Sequence, residues 1–323
     1  MSSEIKTIGV LTSGGDAPGM NAAIRAVVRK ALTNNVKVKG IKRGYMGLIN
    51  EEIVDMEAFS VADIIQKGGT ILGTARCLEF KEQNIQELAA EICRKHGIDG
   101  LVVIGGDGSY RGAQGLARHG INTVGVPGTI DLDIACTEYT IGFDTAINTA
   151  MEAIDKVRDT SSSHERCSII EVMGRHAGFI AVNTGIACGA TCIVVPEVPW
   201  TIEAVCDKIK QTRETGKHHF IVVVSEGVGN SAEIAKQIEM HTGVESRATI
   251  LGHVQRGGSP TIRDRVAASQ LGYYAVQLLA DGKGNRVVGI QDNKIVDYDI
   301  QEALSMKKSF ENELYRISDE ISF

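Results

Sequence analysis

The stretch Gly105-Gly106-Asp107-Gly108-Ser109 constrains this chain more than any other. It follows the apolar run Leu101-Val102-Val103-Ile104 and precedes Tyr110 to Leu116, which reads as a helix start. A buried strand, a glycine turn and a helix N-terminus in that order form an anion site, because backbone N–H groups and the helix dipole face one point. Glycine lets the backbone come close to a phosphate and adopt a positive φ. Asp107 adds a carboxylate there, which repels phosphates unless a cation lies between; Mg²⁺ is usually held by one or two carboxylates and the phosphates themselves. A tight turn with a solvated aspartate would carry the same pentapeptide, so alone it does not decide.

A second loop of this kind opens the chain. Ile8 to Thr12 has a strand pattern, Ser13-Gly14-Gly15-Asp16-Ala17-Pro18-Gly19 is a turn cluster, and Met20 to Leu32 repeats apolar residues at helical spacing. Both glycine loops then lie at the C-terminal ends of strands, the edge where open α/β sheets bind ligands. Further strands are read at 8–12, 101–104, 123–126, 168–173, 192–195, 220–225 and 248–254, with helices at 84–96, 144–158, 202–214, 231–242 and 262–281 between most of them. Val287-Val288-Gly289-Ile290 and Lys294-Ile295-Val296 flank Gln291-Asp292-Asn293 as a hairpin candidate. This alternation predicts an α/β chain of two Rossmann-like lobes, with mainly parallel sheets flanked by helices. Their boundary is read near residue 140; periodicity does not show a return crossing near 256.

At 323 residues the chain can bury two cores. Its formal net charge of -6 argues against general nucleic-acid or membrane-surface binding. No segment resembles a signal peptide or a membrane span. Seven cysteines are scattered without a CxxC pair, which reads as reduced thiols in a cytoplasmic protein rather than a zinc site. GxxxxGK[ST] and the kinase HRD and DFG triplets are absent.

Pro127-Gly128-Thr129-Ile130-Asp131-Leu132-Asp133 follows the strand Val124-Gly125-Val126. In extended chain Asp131 and Asp133 share a face. Phosphoryl transfer to an alcohol needs one carboxylate to take the hydroxyl proton and another near the metal, and this pair supplies both. A solvated acidic loop is the alternative. Arg76 follows a glycine turn; Arg175 and Arg256 end strands; Arg166 and Arg247 flank the same two strands. Singly each reads as a surface ion pair of little weight; together, guanidinium forks beside glycine turns suit phosphate oxygens. Glu226 closes another strand and reads either as an acceptor for sugar hydroxyls or as a helix-cap acid.

The loops Ser13–Gly19, Gly105–Ser109, Pro127–Asp133, Glu171–Gly178 and Gly252–Pro260, in this order from Ile8 to about Ala303, resemble those of the bacterial ATP-dependent 6-phosphofructokinases. That family transfers the γ-phosphoryl of MgATP to O1 of fructose 6-phosphate, the committed step of glycolysis. The resemblance implies a nucleotide-binding lobe of residues 1–142 plus 256–305 and a sugar-phosphate-binding lobe of residues 143–255 plus 306–323. It implies Asp131 as proton acceptor, Asp107 as the Mg²⁺ ligand, Asp133 in support, and Thr129 at the sugar and the transferring group. Arg76 and Arg175 stabilise the phosphoryl in flight. Gly15, Tyr45, Arg76, Cys77, Gly105, Gly106, Asp107, Gly108, Ser109 and Gly112 line the ATP pocket. The 6-phosphate falls to His253 and Arg256, with Arg166 and Arg247 reaching in from a neighbouring subunit of a homotetramer. Thr129, Ile130, Asp131, Met173, Gly174, Arg175, Glu226, Val254 and Gln255 complete the sugar site.

Pyrophosphate-using relatives have Gly-Gly-Asp-Asp and Pro-Lys-Thr-Ile-Asp; Gly108 and Gly128 here favour ATP. For an ADP or phosphoenolpyruvate effector, Arg25, Arg29, Arg158 and Lys217 match, with Gly189, His218 and His219 beside them. Thr191 stands where glutamate is usual, and Thr215 and Ala58 where basic residues often occur. This implies weak or altered allostery; a solvated helix face is the plain reading of Arg25 and Arg29. Leu132 replaces the usual Asn. Alternatives are a pyrophosphate-dependent sugar-phosphate kinase, a nucleotide kinase of the NAD kinase type, and a catalytically weak regulatory paralogue.

Overall fold

In the computed structural model, which describes residues 5–322, β1 (Thr7–Thr12) is wholly buried. It pairs in parallel with β2 (Lys37–Ile41) on one side and β4 (Gly100–Gly105) on the other. Register places Thr12 beside Ile104, so both glycine loops leave the same sheet edge. β5 (Asn122–Pro127) continues the parallel ladder beside β4, with Gly105 opposite Pro127. β3 (Ile53–Met56) and the hairpin β10 (Arg286–Gln291)–β11 (Lys294–Asp299) complete the order β11-β10-β5-β4-β1-β2-β3. Asp292 and Asn293 of the hairpin turn both have positive φ, as a two-residue turn matching strand twist requires. Helix α1 (Met20–Thr33) packs on α9 (Ile262–Ala280). Helices α2 (Gly44–Ile49), α3 (Gln83–Lys95) and α4 (Asp107–Arg118) bury Leu48, Ala89, Cys93, Tyr110 and Leu116 in one apolar cluster with Leu101 and Val103. These elements form a unit of residues 1–130, 134–145 and 256–308.

The second unit comprises residues 131–133, 146–255 and 309–323. Its sheet is all parallel: β6 (Cys167–Val172), β7 (Cys192–Val194), β8 (Phe220–Ser225) and β9 (Ser246–Ile250) lie in the order β7-β8-β6-β9. Cys167, Ile169, Phe220, Val222 and Val224 join Ile209 of α7 (Ile202–Glu214) and Ile238 of α8 (Ser231–Thr242) in its core. Helices α5 (Phe143–His164) and α6 (Phe179–Ala187) precede them. Short helices α10 (Ile300–Ser305) and α11 (Asn312–Glu320) end the chain.

Three sequence boundaries move. The strand read over 248–254 stops at Ile250, and 252–256 forms a 3₁₀ turn because Gly252 takes φ 54°. Helix α4 begins at Asp107 rather than near Tyr110, with extended Gly106 as its N-cap. Helix α5 runs six residues beyond 158, where the Ser162 and Ser163 hydroxyls donate back to the Asp159 carbonyl. All seven cysteines are free thiols; six are buried and Cys77 is half-buried.

Candidate active site

In the first unit the Ser13 N–H donates to the Ile104 carbonyl (2.9 Å) and the Gly128 N–H to the Gly105 carbonyl (3.0 Å). Three loops are thereby tied at one sheet edge. Asp107 is exposed in the first turn of α4, where the helix dipole favours negative charge. A methyl group added at Gly108 would meet nothing within 4 Å, so the space over this helix end is open. At Gly128 the corresponding direction is filled: a Cβ would lie 3.0 Å from Ile104 Cγ2 and 3.1 Å from Met20 Cε. Open space is therefore found at Gly108, while Gly128 answers to packing.

Tyr45 supports this loop from beneath. Its ring stacks on Phe80 at 4.1 Å and its hydroxyl donates to the Ser109 carbonyl at 2.5 Å. Burial pushes the phenol well above its ordinary pKa, so it stays a donor. Gly112 is needed here, since a Cβ would lie 2.6 Å from the Tyr45 ring. The strap bearing exposed Arg76 and half-buried Cys77 is tied in by two hydroxyls. Thr12 donates to the Gly73 carbonyl (2.8 Å) and Thr74 to the Gly14 carbonyl (2.7 Å). Arg256 lies over Gly15 and donates through Nη1 to the Asp16 carbonyl (2.9 Å), so in this structure it sits against the Ser13–Gly19 loop. Thr129 and Ile130 are buried directly after β5.

In the second unit, Asp131 is fully buried and Arg175 Nε lies 3.1 Å from its Oδ2. Arg175 adopts φ 55° and Gly174 φ 137°, a turn that backbone sterics alone would not choose. Two side chains brace it. Glu226 Oε1 accepts from the N–H groups of Gly174 (3.1 Å) and Arg175 (2.7 Å). Gln255 Oε1, fully buried, accepts from the Met173 N–H (2.8 Å). His253 and Val254 are exposed on the 3₁₀ turn. Arg166 and Arg247 both hold Glu245, at 2.9 Å each, and their hydrogen bonds, then their charges, keep its carboxyl below the usual range. Asp133 is half-buried, and Leu132 between the two aspartates takes φ 55° with its side chain 4% exposed.

The residues read as an effector set divide between the units. Arg25 and Arg29 lie on α1 of the first. In the second, Arg158 donates to the Cys188 carbonyl beside Gly189, and Lys217 Nζ lies 3.5 Å from Thr191 Oγ1. Burial, then Arg158, lowers the Lys217 pKa; burial, then Lys217 and Arg158, lowers that of His219. Among the described residues none of these three side chains forms a salt bridge. Thr215 and His218 are exposed beside them.

Sequence reading passed over two carboxylates. Glu245 precedes Arg247 by two residues, a spacing that signals little. Asp264 completes Thr261-Ile262-Arg263-Asp264, a capping pattern at the start of α9.

The profile of the family described as Phosphofructokinase matches residues 7–279. An ATP-dependent 6-phosphofructokinase of Clostridium botulinum (strain Hall) is 60% identical over 318 residues, covering 98% of this chain and 100% of the relative. One from Thermoanaerobacter sp. (strain X514) is 59% identical over 320 residues, with the same coverage. The phosphofructokinase structure from Saccharomyces cerevisiae superposes with a TM-score of 0.88 at 33% identity, covering 98% of this chain and 48% of that one. Glycine loops at one sheet edge, a buried aspartate held by an arginine, and full-length likeness to these enzymes agree: the chain belongs to the phosphofructokinase family.

Proposed function

We propose that this chain is an ATP-dependent 6-phosphofructokinase, transferring the γ-phosphoryl of ATP to O1 of fructose 6-phosphate. The observation that carries the chemistry is the fully buried Asp131 carboxylate within 3.1 Å of Arg175 Nε. Asp131 accepts the proton of the attacking hydroxyl, and Arg175 steadies the charge on the transferring group. Glu226 and Gln255 hold the turn that carries Arg175. Backbone N–H groups from Gly105 to Ser109 receive the phosphates at the start of α4. Asp107 is exposed beside open space at that helix end, which fits a Mg²⁺ completed by phosphate oxygens. That ion, when bound, neutralises charge on the β- and γ-phosphates. Arg76 joins from the strap.

His253, Arg256, Arg166 and Arg247 are assigned to the 6-phosphate, the last two on a neighbouring subunit. The proposal therefore includes a homotetramer acting in the cytoplasm, a nucleotide role for the first unit and a sugar-phosphate role for the second. Thr129, Ile130, Asp133, Met173, Gly174 and Val254 take the sugar-site places set out above. Gly15, Tyr45, Cys77 and Gly112 belong to the nucleotide side. The Arg158, Lys217 and His219 cluster, with Arg25 and Arg29, is assigned to a phosphorylated effector of the ADP or phosphoenolpyruvate class. Near-full-length identity to ATP-dependent enzymes speaks against a pyrophosphate donor or a silent paralogue. A coupled assay of the purified chain with Mg²⁺, ATP and fructose 6-phosphate tests the reading. Turnover is expected with ATP; turnover only with pyrophosphate, or none, would refute it.

A further inference from the structure

We propose that Asp264 is a positioning residue for the phosphoryl-acceptor loop: its buried carboxylate braces the turn 139–145, and that turn fixes Pro127 to Thr129. The inference rests on the reading of residues 127–131 as the acceptor loop.

Asp264 lies in the first turn of α9 and is fully buried. Its Oδ1 accepts from the Tyr139 hydroxyl (2.5 Å) and the Gly142 N–H (2.7 Å). Its Oδ2 accepts from the Thr145 N–H (2.8 Å) and the Thr145 hydroxyl (2.5 Å). An aspartate more than a hundred residues away thus caps the start of α5. Between these bonds, the Ile141 N–H donates to the Pro127 carbonyl (2.9 Å), and Ile141 bridges to Gly128 in parallel register. The Gly128 N–H in turn holds the Gly105 carbonyl. Gly19 leaves room for the same bracket, since a Cβ there would lie 2.7 Å from Ile141 Cγ2 and 3.5 Å from Asp264 Cβ. The path from Asp264 to the residue before Thr129 is therefore continuous through backbone bonds.

Four donors converge on two oxygens, so only an ionised carboxylate satisfies all of them. Asparagine has the same shape but presents an NH₂ group to two of those donors. Burial pushes the Asp264 carboxyl upward against the hydrogen bonds that pull it down. A pKa raised in the folded state means that the ionised form costs stability at neutral pH.

Asp264→Asn is therefore expected to fold while losing geometry. Its kcat should fall by on the order of 10²-fold, as for a misplacement of about 1 Å, with KM for ATP within about twofold because uniform binding is untouched. Amide exchange should quicken in peptides covering 125–131 and 139–145 and stay unchanged in β6 and β8. Tyr139→Phe and Thr145→Val, which remove donors while sparing the carboxylate, should show the same kcat-against-KM split in smaller measure, and they carry the test if Asp264→Asn does not fold. A folded Asp264→Asn enzyme with wild-type kcat and wild-type exchange at 125–131 would overturn the proposal, as would exchange that quickens evenly over the chain. A wild-type chain without phosphotransfer would refute the functional reading, while the exchange comparison would still decide the bracket.

Discussion

Around the Met173–Arg175 turn, charge and backbone donors find partners within the chain: Arg175 faces Asp131, two backbone N–H groups face Glu226, and the Met173 N–H faces Gln255 Oε1. At the far end of the same sheet's connections, Arg158 faces a carbonyl and Lys217 a hydroxyl, and both charges act on His219. The first arrangement satisfies the backbone donors of a strained turn and holds it in place. The second keeps Arg158 and Lys217 together at a cost in pKa, and on the proposed effector reading an anion would relieve it. On that reading one cluster is built to be rigid, the other to respond.

The largest test of this contrast is Asp131→Ser, which should reduce turnover by about 10²–10⁴-fold, the range for loss of a general base; steady-state rates decide it. Next, Glu226→Ala leaves two N–H groups without their acceptor and should destabilise the fold by about 1–3 kcal/mol in a denaturant titration. Lys217→Met should act with the opposite sign, raising stability by about 1 kcal/mol or less, because it removes a cation held against burial and like charge. Equal signs for these two variants would break the comparison.

A pH series sharpens it further. His219 has a folded pKa below its ordinary value, so the unfolded chain takes the proton first. Its contribution to stability is present above the unfolded value and fades as pH falls through that range. Phosphoenolpyruvate, bound at the same cluster, should flatten this loss in melting curves and bind more tightly at pH 6 than at pH 8 by calorimetry.

Leu132→Asn should have a small effect on stability. A left-handed residue other than glycine costs about 1–2 kcal/mol, and asparagine tolerates that region. Burying a leucine side chain returns about 1.5–3 kcal/mol. The two nearly cancel, which accounts for leucine at φ 55° between two aspartates. Stability should change by about 1 kcal/mol and turnover by less than about a hundredfold.

Much of the fold was legible where sequence pattern and environment agree. Helices α7 and α8 and strand β8 fall where apolar spacing puts them, with Thr201 capping α7 and Gly243 ending α8. Strand β2, Lys-Val-Lys-Gly-Ile, lies next to an edge strand and carries two lysines, so it shows no apolar run. Helix α6 is apolar nearly all round and offers no period. The site divides in the same way. Its glycine loops are local signals, whereas the groups that hold them are not. Glu226 reaches a turn some fifty residues upstream, and Asp264 one nearly 120 residues upstream. No spacing rule reports a partner set by sheet register and helix packing.

The sulfur inventory has a practical consequence. Burial lifts the thiols of Cys93 and Cys192 to about 12 and those of Cys136 and Cys188 to about 11, and pushes Cys167 and Cys206 upward as well. Thiolate, the form that reacts with alkylating reagents, is scarce at all six near neutrality. Burial raises the Cys77 thiol too, but its side chain is half-buried where the other six are buried, so a slow maleimide finds its accessible handle at Cys77, next to Arg76. A dye attached there would report on the nucleotide strap without any cysteine having to be engineered away.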